Sequence, residues 1–117
     1  MIPVAFIDWD SAQPVEPLVE LAAAAWAFVP LAPPGQLAEA GFDPIPDLPA
    51  RLRLFVDAYG LTDRAAIVPA LARCVLDTAE HIKYWPIAPA DAANSLEFVA
   101  GQLRWIHSIS PDLARAV

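Results

Sequence analysis

The chain has 117 residues, of which 57% are hydrophobic and 18% are charged, and its formal net charge at pH 7 is −7. This length suits one domain, and the apolar fraction is too high for an intrinsically disordered chain. The excess of acids argues against nucleic acid as a partner, because the phosphate backbone repels an acidic surface. We therefore expect a single domain over residues 1–117.

The sequence predicts a cytoplasmic protein with no membrane partner. The longest apolar stretch begins at Leu21 and is interrupted at Pro30, well short of the roughly 18 residues that a membrane span needs. A secretory signal carries basic residues ahead of its apolar stretch, whereas the first basic residue here is Arg51. The lone cysteine, Cys74, permits no internal disulfide, which fits a reducing compartment.

The first predicted elements are a strand and a helix. Residues 3–7, PVAFI, form a short apolar run with β-branched and aromatic side chains, which predicts a buried β-strand or one arm of a hairpin. Residues 1–13 are predicted to hold this strand and the turn after it. From 14 to 29 the apolar residues recur at helical spacing. The acids Glu16 and Glu20 stand near the start of that helix, where its dipole favours negative charge.

A proline-rich loop is predicted next, over residues 30–49. Residues 50–117 are then predicted to form a helical subdomain. Its first helix covers 50–59, with Arg53 and Asp57 spaced for an ion pair one turn apart. The apolar face of this helix carries Leu52, Phe55, Val56 and Tyr59.

Two further helices and a short turn complete the predicted subdomain. One helix is capped by Thr62 and runs to about Tyr84, and Pro69 inside it predicts a kink or a later start. A long helix covers 89–108, and 111–117 add a short helical turn. The predicted fold class is mainly α, with four to five helices and one short N-terminal β-strand or hairpin.

Two carboxylates follow the predicted strand directly. Asp8 and Asp10 flank Trp9, and residues i and i+2 of a strand face the same way, so both acids can point into one cleft. Mg²⁺ prefers such hard oxygen ligands, usually one or two carboxylates with phosphate and water. Acid pairs at strand ends also form turns, so the spacing alone leaves a metal site and a turn as alternatives.

The stretch VAFIDWDSAQPVEPLVELAAAAW resembles the C-terminal metal motif of the aminoglycoside phosphotransferase and choline kinase-like superfamily. In that family an apolar strand ends in Ile-Asp-Trp or Ile-Asp-Phe and an acid, then Gly-Asp-Pro follows, and Asp-Leu-Ala opens a helix. The counterparts here are residues 7–10, 15–17 and 20–22. The family's usual glycine is Val15, and glutamates replace both downstream aspartates. The later stretch RLRLFVDAYGLTDRAAIV also resembles the helical subdomain of bacterial members.

The resemblance implies the C-terminal helical subdomain of a protein kinase-like fold. In the intact family this fold transfers phosphate from ATP to a hydroxyl group of a small molecule, with Mg²⁺ as the metal. Carried over, Asp8 is the metal ligand, and Asp10 is a second ligand or holds the turn. Glu16 and Glu20 match acids that tie the loop to the helix start.

The superfamily also needs a nucleotide-binding lobe and a His-Gly-Asp catalytic loop, which both precede the strand. Here seven residues precede Asp8, and His-Gly-Asp does not occur. We therefore expect a partial phosphotransferase that is inactive alone and binds Mg²⁺ and ATP only weakly. A non-catalytic helical binding module and one half of a split kinase remain alternatives. Missing neighbours would leave a strand edge and apolar helix faces uncovered, which predicts self-association or a partner chain.

Other side chains have both a structural and a functional interpretation. Three tryptophans either stack a sugar or base in a pocket or join helices in the core: Trp26, Trp85 and Trp105. Cys74 lies on an apolar helix face and is expected to fill the core. His81 and His107 are expected at or near helix surfaces. Five scattered acids are expected to be solvated: Asp43, Asp47, Asp57, Asp91 and Asp112.

Overall fold

The computed structural model describes residues 16–117, so the predicted strand at 3–7 and the two candidate metal ligands, Asp8 and Asp10, lie outside the described residues. Within this range the chain folds into α-helices and one 3₁₀ turn, and the predicted mainly α class is confirmed for it. The helices are α1 (Pro17–Phe28), α2 (Pro34–Glu39), α3 (Leu48–Tyr59), α4 (Ile67–Ile82) and α5 (Pro89–Ala116), with the 3₁₀ turn at Arg64–Ala66.

The first predicted helix is confirmed as α1. It begins at Pro17, where the missing backbone N–H costs nothing because the first N–H groups of a helix have no partner within it. Glu20 lies in the first turn. The buried face is Val19, Leu21, Ala22 and Ala25. Since alanine is small, this face permits close approach of a neighbouring helix.

The loop predicted over residues 30–49 is only partly correct, because it contains α2 and the start of α3. Leu37 in α2 is 2% exposed, so its burial stabilises a helix too short for a visible periodicity. Gly41, with a φ of 99°, follows this helix. The side chain of Asp47 accepts a hydrogen bond from the backbone N–H of Ala50 at 3.1 Å and caps α3.

The start of α4 agrees with the later of the two predicted positions. Gly60 ends α3 with a φ of 81°, and a 3₁₀ turn then leads into α4 at Ile67. Thr62 is therefore not the cap of α4. Pro69 stands in the first turn of the helix, where its ring and missing N–H are tolerated.

The last helix is longer than predicted. The sequence predicts a helix ending at Ser108 and a separate turn over 111–117, but α5 continues through Pro111 to Ala116. Leu113 beyond the proline is fully buried, and its contact with the core offsets the loss of one helical hydrogen bond. The fifth helix of the described residues is thus α2 and not a C-terminal turn. No helix in this part of the chain is both long and apolar enough to cross a membrane.

Helix α4 packs against both α1 and α5, and α3 packs against α5. Trp26 of α1 connects these layers. Its indole N–H donates a hydrogen bond to the backbone carbonyl of Leu71 in α4 at 3.1 Å. Its ring lies 6.1 Å from that of Trp105 in α5, at an interplanar angle of 57°. Trp26 therefore contacts both α4 and α5 from α1 and links these three helices.

Substitution Trp26→Phe is expected to destabilise the protein by about 1–2 kcal/mol. The change removes one hydrogen bond and leaves a smaller ring in a packed position. Urea denaturation followed by circular dichroism measures the effect. Trp85→Phe is the matched control, because Trp85 is 45% exposed and its change should stay within about 0.5 kcal/mol. Equal effects of the two substitutions would contradict the role given to Trp26.

Substitution Asp47→Ala is expected to cost about 1 kcal/mol through loss of the α3 cap. The same denaturation experiment measures it. Glu97→Ala is the control, since Glu97 is exposed in the middle of α5. This substitution removes the same charge without removing a helix cap. A loss for Asp47→Ala no greater than that for the control would show that the cap contributes nothing.

Candidate functional site

An open, mainly apolar groove lies at the start of α1. Its volume is about 270 Å³, slightly below the roughly 300–1,000 Å³ of most small-molecule sites. One wall is the first two turns of α1, and the other is the connection from α3 to α4. The lining residues are Pro17, Leu18, Leu21, Tyr59, Leu61, Asp63 and Ala66. This size suits a few apolar side chains or a small ligand group.

Local backbone features form the second wall. Gly60 takes a left-handed conformation that residues with a side chain rarely adopt. The chain turns sharply there, so Tyr59 and Leu61 on either side of it both reach the groove. Leu61 also packs against the main core cluster. The groove wall is consequently fixed to the folded body of the protein.

Two side chains give the groove polar character. Tyr59 is 59% exposed although the sequence predicted it on the buried face of its helix, and Asp63 lies at the start of the 3₁₀ turn. Beside them, Asp57 forms an ion pair with Arg64 at 2.5 Å. The predicted partner of Asp57 was Arg53, so this prediction was wrong. Asp57 does not line the groove, and Asp63 is the one carboxylate among the described lining residues.

The predicted metal ligands are not part of this groove as described. Asp8 and Asp10 lie outside the described residues, so their prediction stays a prediction. Within residues 16–117, no group of three or more His, Cys, Asp or Glu side chains is arranged to hold a metal ion. Lys83, the chain's single lysine, forms an exposed ion pair with Glu80 at 2.9 Å.

The three tryptophans differ in burial. Trp26 and Trp105 are partly buried and join helices, as the core interpretation predicted. Trp85 lies after the end of α4 and is well exposed. His81 and His107 are both exposed, as expected. Neither the tryptophans nor the histidines line the groove.

The scattered acids are exposed, as predicted, and several have structural partners. Asp47 caps α3, and Asp57 pairs with Arg64. Asp112 pairs with Arg115 within α5. These partners give the three acids a local structural role.

Large apolar side chains are exposed around the connection between α4 and α5. Three of them, Tyr84, Trp85 and Ile87, lie in the connection itself. Three more lie on the adjoining helices: Leu76, Leu96 and Phe98. We call these six residues the α4–α5 apolar set. Aromatic side chains with exposed apolar surface are frequent in protein interfaces.

Cys74 is half-buried and packs against the core, as its position on an apolar face predicted. Burial raises the pKa of its thiol, and the nearby carboxylate of Asp77 raises this pKa further. Both effects disfavour the thiolate, which is the reactive form of cysteine. Cys74 is therefore suited to packing and not to nucleophilic catalysis.

Comparisons of the chain with protein families, with curated proteins and with solved structures found no match.

The thiol of Cys74 is expected to react slowly with iodoacetamide, and the midpoint of its pH–rate profile should lie above that of the same thiol in urea-unfolded protein. The raised pKa is the reason. Asp77→Asn should move the native midpoint part of the way down, because it removes the smaller cause and leaves burial. Coincident midpoints in native and unfolded protein would contradict this account.

Proposed function

We propose that this chain is the C-terminal helical part of an aminoglycoside phosphotransferase-like kinase. The carrying observation is the agreement between the motif and the start of α1. The family's Gly-Asp-Pro proline corresponds to Pro17, which is the first residue of α1. The counterpart of Asp-Leu-Ala puts an exposed acid, Glu20, beside two buried residues, Leu21 and Ala22. The resemblance implies a helix that opens at the Asp-Leu-Ala counterpart, and α1 begins three residues earlier, with Glu20 in its first turn. A helix start in this region supports the kinase-like fold.

In this proposal the segment before α1 supplies the acidic ligands. Asp8 is the ligand to Mg²⁺, and Asp10 assists it or holds the turn. A bound Mg²⁺ would neutralise charge on the phosphates of ATP. Glu20 has a structural role, because its negative charge interacts favourably with the positive end of the α1 dipole.

The helical body contributes a wall for a small-molecule acceptor. The groove beside α1 is open and mainly apolar, with Tyr59 and Asp63 as its polar side chains. The single carboxylate of the described groove lining, Asp63, in a protein of net charge −7 favours a cationic small molecule. A carboxylate at the groove can also accept hydrogen bonds from hydroxyl groups.

The chain is not proposed to transfer phosphate alone. Phosphoryl transfer depends on positioning both the nucleotide and the attacking hydroxyl. The sequence carries no His-Gly-Asp motif, and the single lysine is engaged with Glu80. Activity therefore requires further protein segments, in the same chain or in a partner. We place this role in the cytoplasm, because a single cysteine permits no internal disulfide and so fits a reducing compartment.

A second candidate function is a non-catalytic interaction module. The observation that favours it is the α4–α5 apolar set, which includes the side chain of Tyr84 at 78% exposure. Aromatic side chains are enriched in protein interfaces relative to the rest of the surface. This function requires neither metal nor nucleotide, so the two candidates can be separated by one binding experiment.

Isothermal titration of Mg²⁺–ATP into the full chain tests the kinase proposal. We expect weak binding that Asp8→Asn reduces at least about tenfold, or about 1.4 kcal/mol, because the variant removes a metal ligand. Asp91→Asn is the control, since it removes the same charge from the exposed first turn of α5 and should leave binding unchanged.

Two results would contradict the proposal. The first is no detectable binding of Mg²⁺–ATP by a folded chain, which would favour the interaction module. The second is equal loss of affinity in Asp8→Asn and Asp91→Asn, which would show a general effect of negative charge and not a ligand at Asp8.

A further inference from the structure

We propose that the groove beside α1 is the docking site for the chain's own apolar segment, residues 3–7. This inference goes beyond the proposed function, because docking needs neither metal nor nucleotide. A docked segment would occupy the apolar lining of the groove and leave its polar side chains, Tyr59 and Asp63, to an acceptor. It commits to an occupant within the same chain. A second copy of the segment from another molecule is the competing occupant.

The groove lies where the described part of the chain begins. Residues 1–15 are outside the described structure, which begins at Glu16. The next residue, Pro17, already lines the groove. The segment therefore joins the folded body at the edge of the groove and not at a remote surface.

The length of the connection is the second argument. The nine residues from Asp8 to Glu16 separate Ile7 from Pro17. Such a connection spans at most about 35 Å when fully extended, which exceeds what is needed to fold back over the first two turns of α1, about 11 Å long. A tether this short gives the segment an effective concentration in the millimolar range, so modest apolar contacts suffice for docking.

The chemistry of the two surfaces is the third argument. Five of the lining residues are apolar, namely Pro17, Leu18, Leu21, Leu61 and Ala66. Residues 3–7 are all apolar, and residues 8–16 include three acids. The apolar run is thus the part of the preceding segment that an apolar groove accepts. Asp8 follows it immediately and would be held at the mouth of the groove.

Site-directed cross-linking in the full chain tests the docking. Cys74→Ala first removes the native thiol, and Ile7→Cys is then combined with Leu61→Cys in the groove wall. The control combines Ile7→Cys with Leu54→Cys, because Leu54 is 68% exposed on α3 and does not line the groove. A short bis-maleimide at low protein concentration should cross-link the groove pair at least about tenfold faster than the control pair.

The outcomes are distinguishable by intact-mass measurement. An intramolecular cross-link favouring the groove pair supports docking within one chain. Equal rates for the two pairs, or a cross-link between two chains, would overturn the proposal. If Leu61→Cys unfolds the protein, Ala66→Cys provides a second lining position with the same criterion.

A double-substitution cycle gives an independent readout. Phe6→Ala and Leu18→Ala should each lower the melting temperature, and the double variant should lose less than the sum of the two losses, because both remove one shared contact. Strictly additive losses would count against docking of the segment beside α1.

Discussion

The indole of Trp26 is the contact on which the arrangement of the helices depends. Its N–H donates to the carbonyl of Leu71 in α4, and its ring lies against Trp105 of α5. It also borders both buried clusters of the core. If α1 shifted relative to α4, this partly buried indole would lose its hydrogen bond to Leu71, so the bond favours one relative position of the two helices.

The geometry of the candidate groove depends on the packing of α1 against α4. One wall of the groove belongs to α1, and the other belongs to the connection that leads into α4. The separation of the walls is therefore set by how α1 packs on α4. The proposed chemistry divides along the same line: the segment before α1 carries the acids Asp8 and Asp10, while the helices offer a rigid apolar surface.

Sequence periodicity was sufficient for the long helices and insufficient for the rest. The apolar stripes of α1, α3, α4 and α5 are visible because each spans several turns. Helix α2 has six residues, too few for a repeat, and it depends on the burial of Leu37. Pro111 indicated a helix end, but the burial of Leu113 keeps α5 continuous.

The groove could not be predicted because its walls are far apart in the sequence. Pro17 and Tyr59 come together only when α1 and α3 are placed around the core. The motif at Asp8 is the opposite case: it is visible in the local sequence, but Asp8 itself lies outside the described residues.

The most direct test of the Trp26 junction is hydrogen exchange of the indole N–H groups by NMR. The Trp26 indole N–H should exchange at least about 100-fold more slowly than that of the exposed Trp85, and equal exchange rates would contradict the central role of Trp26.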